Sequence, residues 1–195
     1  TVLLNLYREC FFNPDTFSPI SSSASGPSSK AGKRLEAADQ LVSHSTSVAI
    51  GLLRDEDGHS PHEAADFLLE LLKFAPHDGI APSADERIAY LLKGVGLLAV
   101  DSEERLGQCL GAVRAFLQRE KIFMSEGMSI TCACMQSVCS LLMEFYRRNP
   151  GSDCTVMDEH LLLIKTYASG QHIHRVRTVA NICIIILESI RHGCK

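Results

Sequence analysis

Eight segments of this chain have the apolar spacing of amphipathic helices, and residues that start or stop a helix bound each of them. No segment shows the convincing alternation of polar and apolar residues that marks a half-buried strand. The sequence therefore predicts an all-α fold. The predicted helices span residues 1–12, 34–54, 61–75, 84–99, 102–120, 128–148, 153–168 and 171–192.

Three of the predicted helix starts have the sequence of a capping box. In Ser60-Pro61-His62-Glu63 the side chain of Ser60 is expected to accept a hydrogen bond from the first turn, while Glu63 reaches back. Residues 83–86 and 101–104 repeat the pattern, with Ser83 and Asp101 in the capping position. These signals place the helix boundaries and leave the packing of the helices open.

Taken in consecutive pairs, the predicted helices form four hairpins of similar length. The second helices begin at residues 34, 84, 128 and 171, at intervals of roughly 43–50 residues, close to the roughly 40–47 residues of helical solenoid repeats. The last of them, RVRTVANICIIILESI at 175–190, is apolar over a wide face. So broad an apolar surface needs cover on several sides, as it receives inside a stack of hairpins.

Two segments resemble HEAT repeats. VRTVA at 176–180 resembles the V-R-x-x-A opening of the second helix of such a repeat, and RIAYLLKGVGLLAV at 87–100 is similar to the pattern of small residues and leucines later in that helix. The resemblance implies an α-solenoid, HEAT- or armadillo-like, of about four stacked hairpins. An irregular helical bundle is the alternative, because periodicity alone does not determine topology.

The chain is predicted to be a single helical-repeat domain over residues 1–195, and its start at Thr1 suggests a fragment of a longer chain. Residues 13–33 are rich in Ser, Gly and Pro and are predicted to be a flexible linker or loop. Ser18, followed by proline, is a candidate phosphorylation site within it.

The stretch SGPSSKAGKR at 25–34 has the outline of a phosphate-binding loop but not its spacing. Five residues instead of four separate Gly26 from Gly32, and Arg34 stands where the loop needs a hydroxyl to bind magnesium. No buried strand precedes it, as such a loop requires. We therefore expect no nucleotide and no other cofactor.

Composition limits the remaining classes of function. The chain is 46% hydrophobic and has a formal net charge of -4, so it can bury a core but has no overall attraction to nucleic acid or anionic membrane. Its longest apolar run, 182–187, is far shorter than the roughly 20 residues that span a bilayer. We expect no membrane association.

The eight cysteines contain no CxxC pair, which zinc modules usually need. Cys132 and Cys139 share a helix face, while Cys134 lies roughly 200° around the helix, so the three side chains cannot bind one metal ion. Reduced, structural cysteines are predicted, and with them an intracellular protein of the nucleus or cytoplasm.

The segment HEAAD at 62–66 is one substitution from the HExxH motif of zinc proteases. His62 and Asp66 lie one turn apart, Glu63 is a possible base and His59 is nearby, so a metal-dependent hydrolase is an alternative function. Against it, Glu63 is already assigned to a capping box and no third ligand has a diagnostic spacing. We expect neither a metal site nor a catalytic residue.

A basic cluster formed by His172, His174, Arg175 and Arg177 opens the last helix, where it opposes the helix dipole. A neighbouring carboxylate, Asp158 or Glu159, is expected to offset this charge. The alternative is that the cluster contacts an acidic partner or a nucleic-acid backbone. For nucleic acid the candidate residues are Arg147, Arg148, Arg175, Arg177 and Arg191.

Asn181 interrupts the apolar run of the last helix, and a buried amide needs a hydrogen-bond partner, here expected to be a loop carbonyl of the adjacent hairpin. The resemblance to armadillo proteins implies another role, in which an asparagine grips the backbone of a bound peptide. We therefore expect a non-catalytic scaffold that holds a partner helix or extended peptide in a groove lined by the second helices. The predicted groove residues are Lys93, Gln136, Arg147, Arg177, Asn181 and Glu188.

Overall fold

The structure, a computed structural model, describes residues 2–11, 30–75, 82–122 and 124–193. Within these ranges it contains no strand, so the predicted all-α class is confirmed for this part of the chain. A short 3-10 turn, Glu126–Met128, precedes the sixth helix. The helices are α1 (Val2–Phe11), α2 (Lys30–Gly51), α3 (His62–Lys73), α4 (Pro82–Gly96), α5 (Glu103–Glu120), α6 (Ser129–Arg148), α7 (Thr155–Tyr167) and α8 (His174–Gly193).

The predicted linker 13–33 lies outside the described residues except for its last part. Residues 30–33 belong to α2, which begins at Lys30, earlier than the predicted residue 34. The candidate phosphorylation site Ser18 also lies outside the described residues.

The helix starts differ from the predicted capping boxes. Ser102 caps α5, because its Oγ accepts a hydrogen bond from the backbone N–H of Arg105 over 3.3 Å, so the cap lies one residue after the predicted Asp101. Pro61 is the N-cap of α3, and no side chain caps that helix, so the prediction for Ser60 was wrong. Helix α4 begins at Pro82, which places Ser83 inside the helix.

Ser60 is used instead to join two loops. Its Oγ accepts hydrogen bonds from the backbone N–H of Ala99, over 2.9 Å, and from Nη1 of Arg54, over 3.1 Å. Its own N–H donates to the carbonyl oxygen of Ala99 over 2.8 Å. These hydrogen bonds connect the loop that precedes α3 to the loop that precedes α5. Because the Ser60 hydroxyl is used in them, it does not cap α3.

Each predicted hairpin is present as a packed pair of helices, α1 with α2, α3 with α4, α5 with α6 and α7 with α8. The second members also pack on one another in chain order, α2 on α4, α4 on α6 and α6 on α8. Among the first members, α3 contacts α5. Helix α6 has neighbours in α4, α5, α7 and α8, and almost all of its apolar side chains are buried.

A buried carboxylate joins the end of α5 to the start of α6. Glu120 accepts hydrogen bonds from the N–H and Oγ of Ser125, over 2.9 and 2.8 Å, and from Oγ1 of Thr131 over 2.9 Å. The backbone N–H of Thr131 also points at Glu120 over 3.3 Å. A buried charge needs such partners, and here they hold the turn between the two helices in place.

No helix in the described ranges is both long enough and apolar enough to cross a lipid bilayer.

Candidate functional site

Three sides of α6 are covered by other helices and one side is not. Ser137 Oγ donates to the carbonyl oxygen of Leu92 on α4 over 2.7 Å, and Cys134 Sγ lies 3.6 Å from the carbonyl oxygen of Val113 on α5. On the third side the carbonyl oxygen of Met135 accepts from a thiol of α8. The residues of the remaining side are exposed or half-buried: Gln136, Ser140, Met143 and Arg147.

Helix α4 has a matching uncovered side. Gly94 faces α2 and Gly96 faces α6, whereas Glu86 and Lys93, two turns apart, are exposed. Because α4 and α6 pack side by side, and their hairpin partners α3 and α5 contact each other, the uncovered sides of α4 and α6 adjoin. We call the resulting surface the α4–α6 face, and its exposed residues are Glu86, Lys93, Gln136, Met143 and Arg147.

The six residues predicted for one groove are separated by the structure. Lys93, Gln136 and Arg147 lie on the α4–α6 face. On α8, Glu188 instead reaches α7, with its Oε1 2.8 Å from Nζ of Lys165. The six residues fall on two surfaces because α7 packs on α8. The prediction from residue type alone took no account of this packing.

Arg177 and Asn181 also lie toward α7, one turn apart on the side of α8 that carries Glu188. Both line a shallow cavity of about 260 Å³, together with Ala168 at the end of α7, His174 and Thr178. Asn181 is exposed, so the expected buried amide that binds a loop carbonyl was wrong. Arg177 is half-buried, and its Nε has no hydrogen-bond partner.

Helices α6 and α7 cover part of the surface of α8, and part of its wide apolar face stays exposed. Val176, Ala180 and Leu187 are buried against the rest of the molecule, whereas Ile182 and Ile185 are 53% and 64% exposed. The expectation that this helix is covered on several sides therefore holds for part of its surface. The apolar spacing predicted the helix. It could not show that α8 is the last member of the series α2, α4, α6 and α8, here called the even-numbered series, and so packs on only one other member, α6.

The arginines proposed for nucleic acid are mostly engaged with carboxylates. Arg147 and Arg148 both pair with Glu144, over 3.0 and 2.6 Å. Burial raises the pKa of the Glu144 carboxyl, but hydrogen bonds from the two guanidinium groups outweigh it and leave the pKa below its ordinary value. Ion pairs of this kind reduce the positive charge that the end of α6 presents to a phosphate backbone.

The carboxylates expected to offset the basic cluster at the start of α8 lie elsewhere. Asp158 pairs with Arg191 near the end of α8, over 2.8 Å, and Glu159 pairs with Arg114 of α5 over 2.7 Å. The reason is the direction of the chain, because α7 and α8 form a hairpin and the start of α7 meets the end of α8. The prediction was therefore wrong for both residues.

The side chain of Arg105, on α5, lies between His62 and Asp66 of the HEAAD segment. A guanidinium nitrogen of Arg105 pairs with Asp66, and the other lies 3.0 Å from Nδ1 of His62. Nε2 of His62 faces Asp101 over 3.5 Å. This cation stands between the two side chains that a metal would need to share, so the segment ties α3 to α5. In the described parts of the chain, no three His, Cys, Asp or Glu side chains are grouped so as to hold a metal ion.

Of the two members of the α4–α6 face that sequence reasoning missed, Glu86 and Met143, the apolar one is Met143. It lies two turns after Gln136 and one turn before Arg147, so all three share one stripe of α6. The signal was present in this spacing, but methionine in an apolar helix is ordinarily assigned to the core. Its exposure gives the face an apolar element beside the polar ones.

Comparison with known proteins adds no family to this description. No family model matches the chain, and the comparisons with curated proteins and with solved structures found no match.

Proposed function

We propose that this chain is a HEAT- or armadillo-like α-solenoid that acts as a non-catalytic, intracellular scaffold and holds a helix or extended peptide of a partner protein. The packing of α2, α4, α6 and α8 on one another in chain order is the observation that carries this proposal. Stacked two-helix repeats require such a succession, whereas a bundle packs its helices around a shared core.

The loops support the same arrangement. The pair of backbone and side-chain hydrogen bonds between Ser60 and Ala99 links equivalent loops of consecutive hairpins. In a solenoid each repeat contacts its neighbours through both helices and loops. An irregular helical bundle remains the competing description of the fold.

The α4–α6 face is the proposed binding surface, since solenoids bind partners along the surface formed by one set of helices. Gln136 has an amide that can both donate to and accept from a peptide backbone. Met143 offers a flexible apolar contact, and Lys93 adds positive charge for an acidic side chain of the partner. Arg147 adds an exposed guanidinium whose charge is shared with Glu144. The cavity beside Arg177 and Asn181 is a second, separate candidate surface.

The test is an affinity purification in which two surfaces compete. The full chain, its Lys93→Ala/Gln136→Ala/Arg147→Ala variant and its Arg177→Ala/Asn181→Ala variant are used as baits after nuclease treatment of the lysate. We expect one set of proteins to be lost with the first variant and kept with the second. Loss with the second variant alone would move the site to the cavity beside α7.

The matched control is Gln118→Ala/Lys121→Ala, which removes two exposed side chains near the end of α5, away from the α4–α6 face. Unfolding temperatures of all variants must agree, so that a lost interaction reports the surface and not the fold. A protein set that survives every variant would reject both surfaces. Binding of added nucleic acid by the purified chain, falling steeply between about 50 and 200 mM salt, would favour the nucleic-acid alternative.

A further inference from the structure

Cys139 of α6 and Cys183 of α8 lie opposite each other in the interface between these helices. Both are buried. The Sγ of Cys139 is 3.8 Å from the carbonyl oxygen of Cys183, and the Sγ of Cys183 is 3.6 Å from the carbonyl oxygen of Met135. Each thiol therefore reaches the backbone of the opposite helix, and the interaction between the two side chains shifts the pKa of both thiols.

The two thiols of this pair differ in acidity. The interaction with the Cys183 side chain lowers the pKa of the Cys139 thiol, against the opposing effect of burial. The same interaction, together with burial, raises the pKa of Cys183. Cys139 is thus the better source of a thiolate, which is the nucleophilic form of cysteine.

The other buried cysteines have different surroundings. Cys134 points to α5, where its thiol donates to the carbonyl oxygen of Val113, and burial raises its pKa strongly. Burial raises the pKa of Cys109 to about 11. Cys132 shares the α8 side of α6, but burial raises its pKa too. Among the described cysteines, the reciprocal contact across two helices is made by Cys139 and Cys183.

We propose that Cys139 and Cys183 are a site of reversible oxidation that forms a disulfide between α6 and α8 when a hydroperoxide is the oxidant. The Cys139 thiolate attacks one oxygen of the hydroperoxide, the O–O bond breaks, and the other oxygen leaves with a proton as water or an alcohol. The sulfenic acid of Cys139 is then attacked by the Cys183 sulfur, which gives up its proton. The S–O bond breaks and water leaves, so two thiols supply the two electrons that reduce the hydroperoxide.

The pair lies near the outer side of the helix packing, and its oxidation has a structural consequence. Cys183 is preceded by the exposed Ile182, on a helix whose outer side is uncovered. A bond from α6 to α8 joins consecutive members of the even-numbered series. It also closes a long chain loop, which restricts the unfolded state and raises the unfolding temperature.

The experiment needs no substitution. The reduced full chain is exposed to hydrogen peroxide, free thiols are alkylated in denaturant, and a digest with trypsin is analysed without reduction. Cys183 lies in the tryptic peptide 178–191, and Cys139 shares the peptide 122–147 with Cys132 and Cys134, so fragment-ion sequencing assigns the bond. We expect a Cys139–Cys183 cross-link lighter by about 2 Da than the two thiol peptides and reversed by dithiothreitol.

Two variants separate this site from general oxidation. Cys139→Ser is expected to abolish the cross-link and the rise in unfolding temperature on oxidation. Cys134→Ser, a matched control on the same helix, should keep both. Alkylation of Cys139 and Cys183 in the oxidised wild-type chain, or a cross-link through Cys132 or Cys134 instead, would overturn the proposal, and this mapping stands even where a variant fails to fold.

Discussion

Gly96 of α4 lies against the backbone of Ser137 of α6, so closely that a Cβ atom on Gly96 would be 2.7 Å from the Ser137 Cα. In the same interface Ser137 Oγ donates to the carbonyl oxygen of Leu92 over 2.7 Å. Gly94 makes the corresponding approach to α2, where a Cβ would be 2.5 Å from the carbonyl oxygen of Ser47. The spacing of three consecutive even-numbered helices is therefore set by glycines that have no side chain to separate them.

Gly96→Ala is expected to destabilise the fold. The added methyl group meets backbone atoms of α6, which cannot rotate away, so the two helices must move apart, at about 1–3 kcal/mol or more of unfolding free energy. Chemical denaturation of the variant and the wild type measures this difference. The matched control is Gly111→Ala, on α5, where a Cβ would meet nothing within 4 Å.

For Gly111→Ala we expect no loss and a gain of up to about 1 kcal/mol, because alanine favours the helix over glycine. Equal effects of the two substitutions would mean that the α4–α6 interface is not as close as described. The comparison therefore tests the helix succession itself, independently of any binding partner.

Ser60→Ala is expected to cost more stability than Ser102→Ala. The first change leaves the buried N–H of Ala99 without its side-chain acceptor and removes a partner of Arg54, at about 1–3 kcal/mol. The second removes a cap at an exposed helix start, for which about 0.5–1 kcal/mol is typical. Thermal unfolding of both variants gives the order, and the reverse order would restore the capping role that the sequence suggested for Ser60.

Glu120→Gln is expected to destabilise the junction of α5 and α6 by about 2 kcal/mol or more. The carboxylate accepts hydrogen bonds from Ser125 and Thr131, and an amide in its place turns one acceptor into a donor that faces other donors. Glu56→Gln, in an exposed loop, should change the unfolding free energy by less than about 0.5 kcal/mol. Similar unfolding midpoints for both variants would show that Glu120 does not hold the turn.

His44 makes the stability of the fold depend on pH. It is buried and stacks on Tyr90 with a centroid distance of 4.4 Å, and burial lowers its pKa below the ordinary value of 6.5, although Glu86 opposes this and Arg87 reinforces it. Below pH 6.5 the unfolded chain binds a proton at this site that the folded chain resists, so the folded state loses stability as pH falls, until the folded pKa is reached.

The measurement is the free energy of unfolding of the wild type and of His44→Gln between pH 8 and pH 5, about the range in which histidine titrates. The loss of stability below pH 6.5 is expected to be shallower in the variant. Parallel curves for the two proteins would show that His44 does not contribute to the pH dependence.

Much of the fold could be predicted from local sequence. Apolar spacing predicted eight helices and their pairing along the chain, and the structure contains helices in all eight places within its described residues. Cys132 and Cys139 were predicted on one side of their helix and Cys134 on another, and the contact of Cys134 with α5 and of Cys139 with α8 agrees. These predictions succeed because a side chain's direction on a helix depends on its position along that helix alone.

The site residues could be predicted only in part. Lys93, Gln136 and Arg147 proved to be exposed on one surface, while Glu188 is paired with Lys165 across the α7–α8 hairpin. Sequence spacing places Glu188 on the same stripe as Asn181, but it cannot tell which neighbouring helix that stripe faces.

The sequence by itself determined the helices, their order and the apolar stripe that each presents, because these depend on interactions between residues a few positions apart. Only the tertiary structure decided which stripe meets which helix, that Ser60 would hold a distant loop, and that Cys139 and Cys183 would share an interface. Those contacts join residues about 40 positions apart, as the Ser60–Ala99 and Cys139–Cys183 hydrogen bonds do. The close approach of the α4 backbone to α2 at Gly94 and to α6 at Gly96 favours one packing over the alternatives. The local sequence around each glycine does not show which helix will occupy the space beside it.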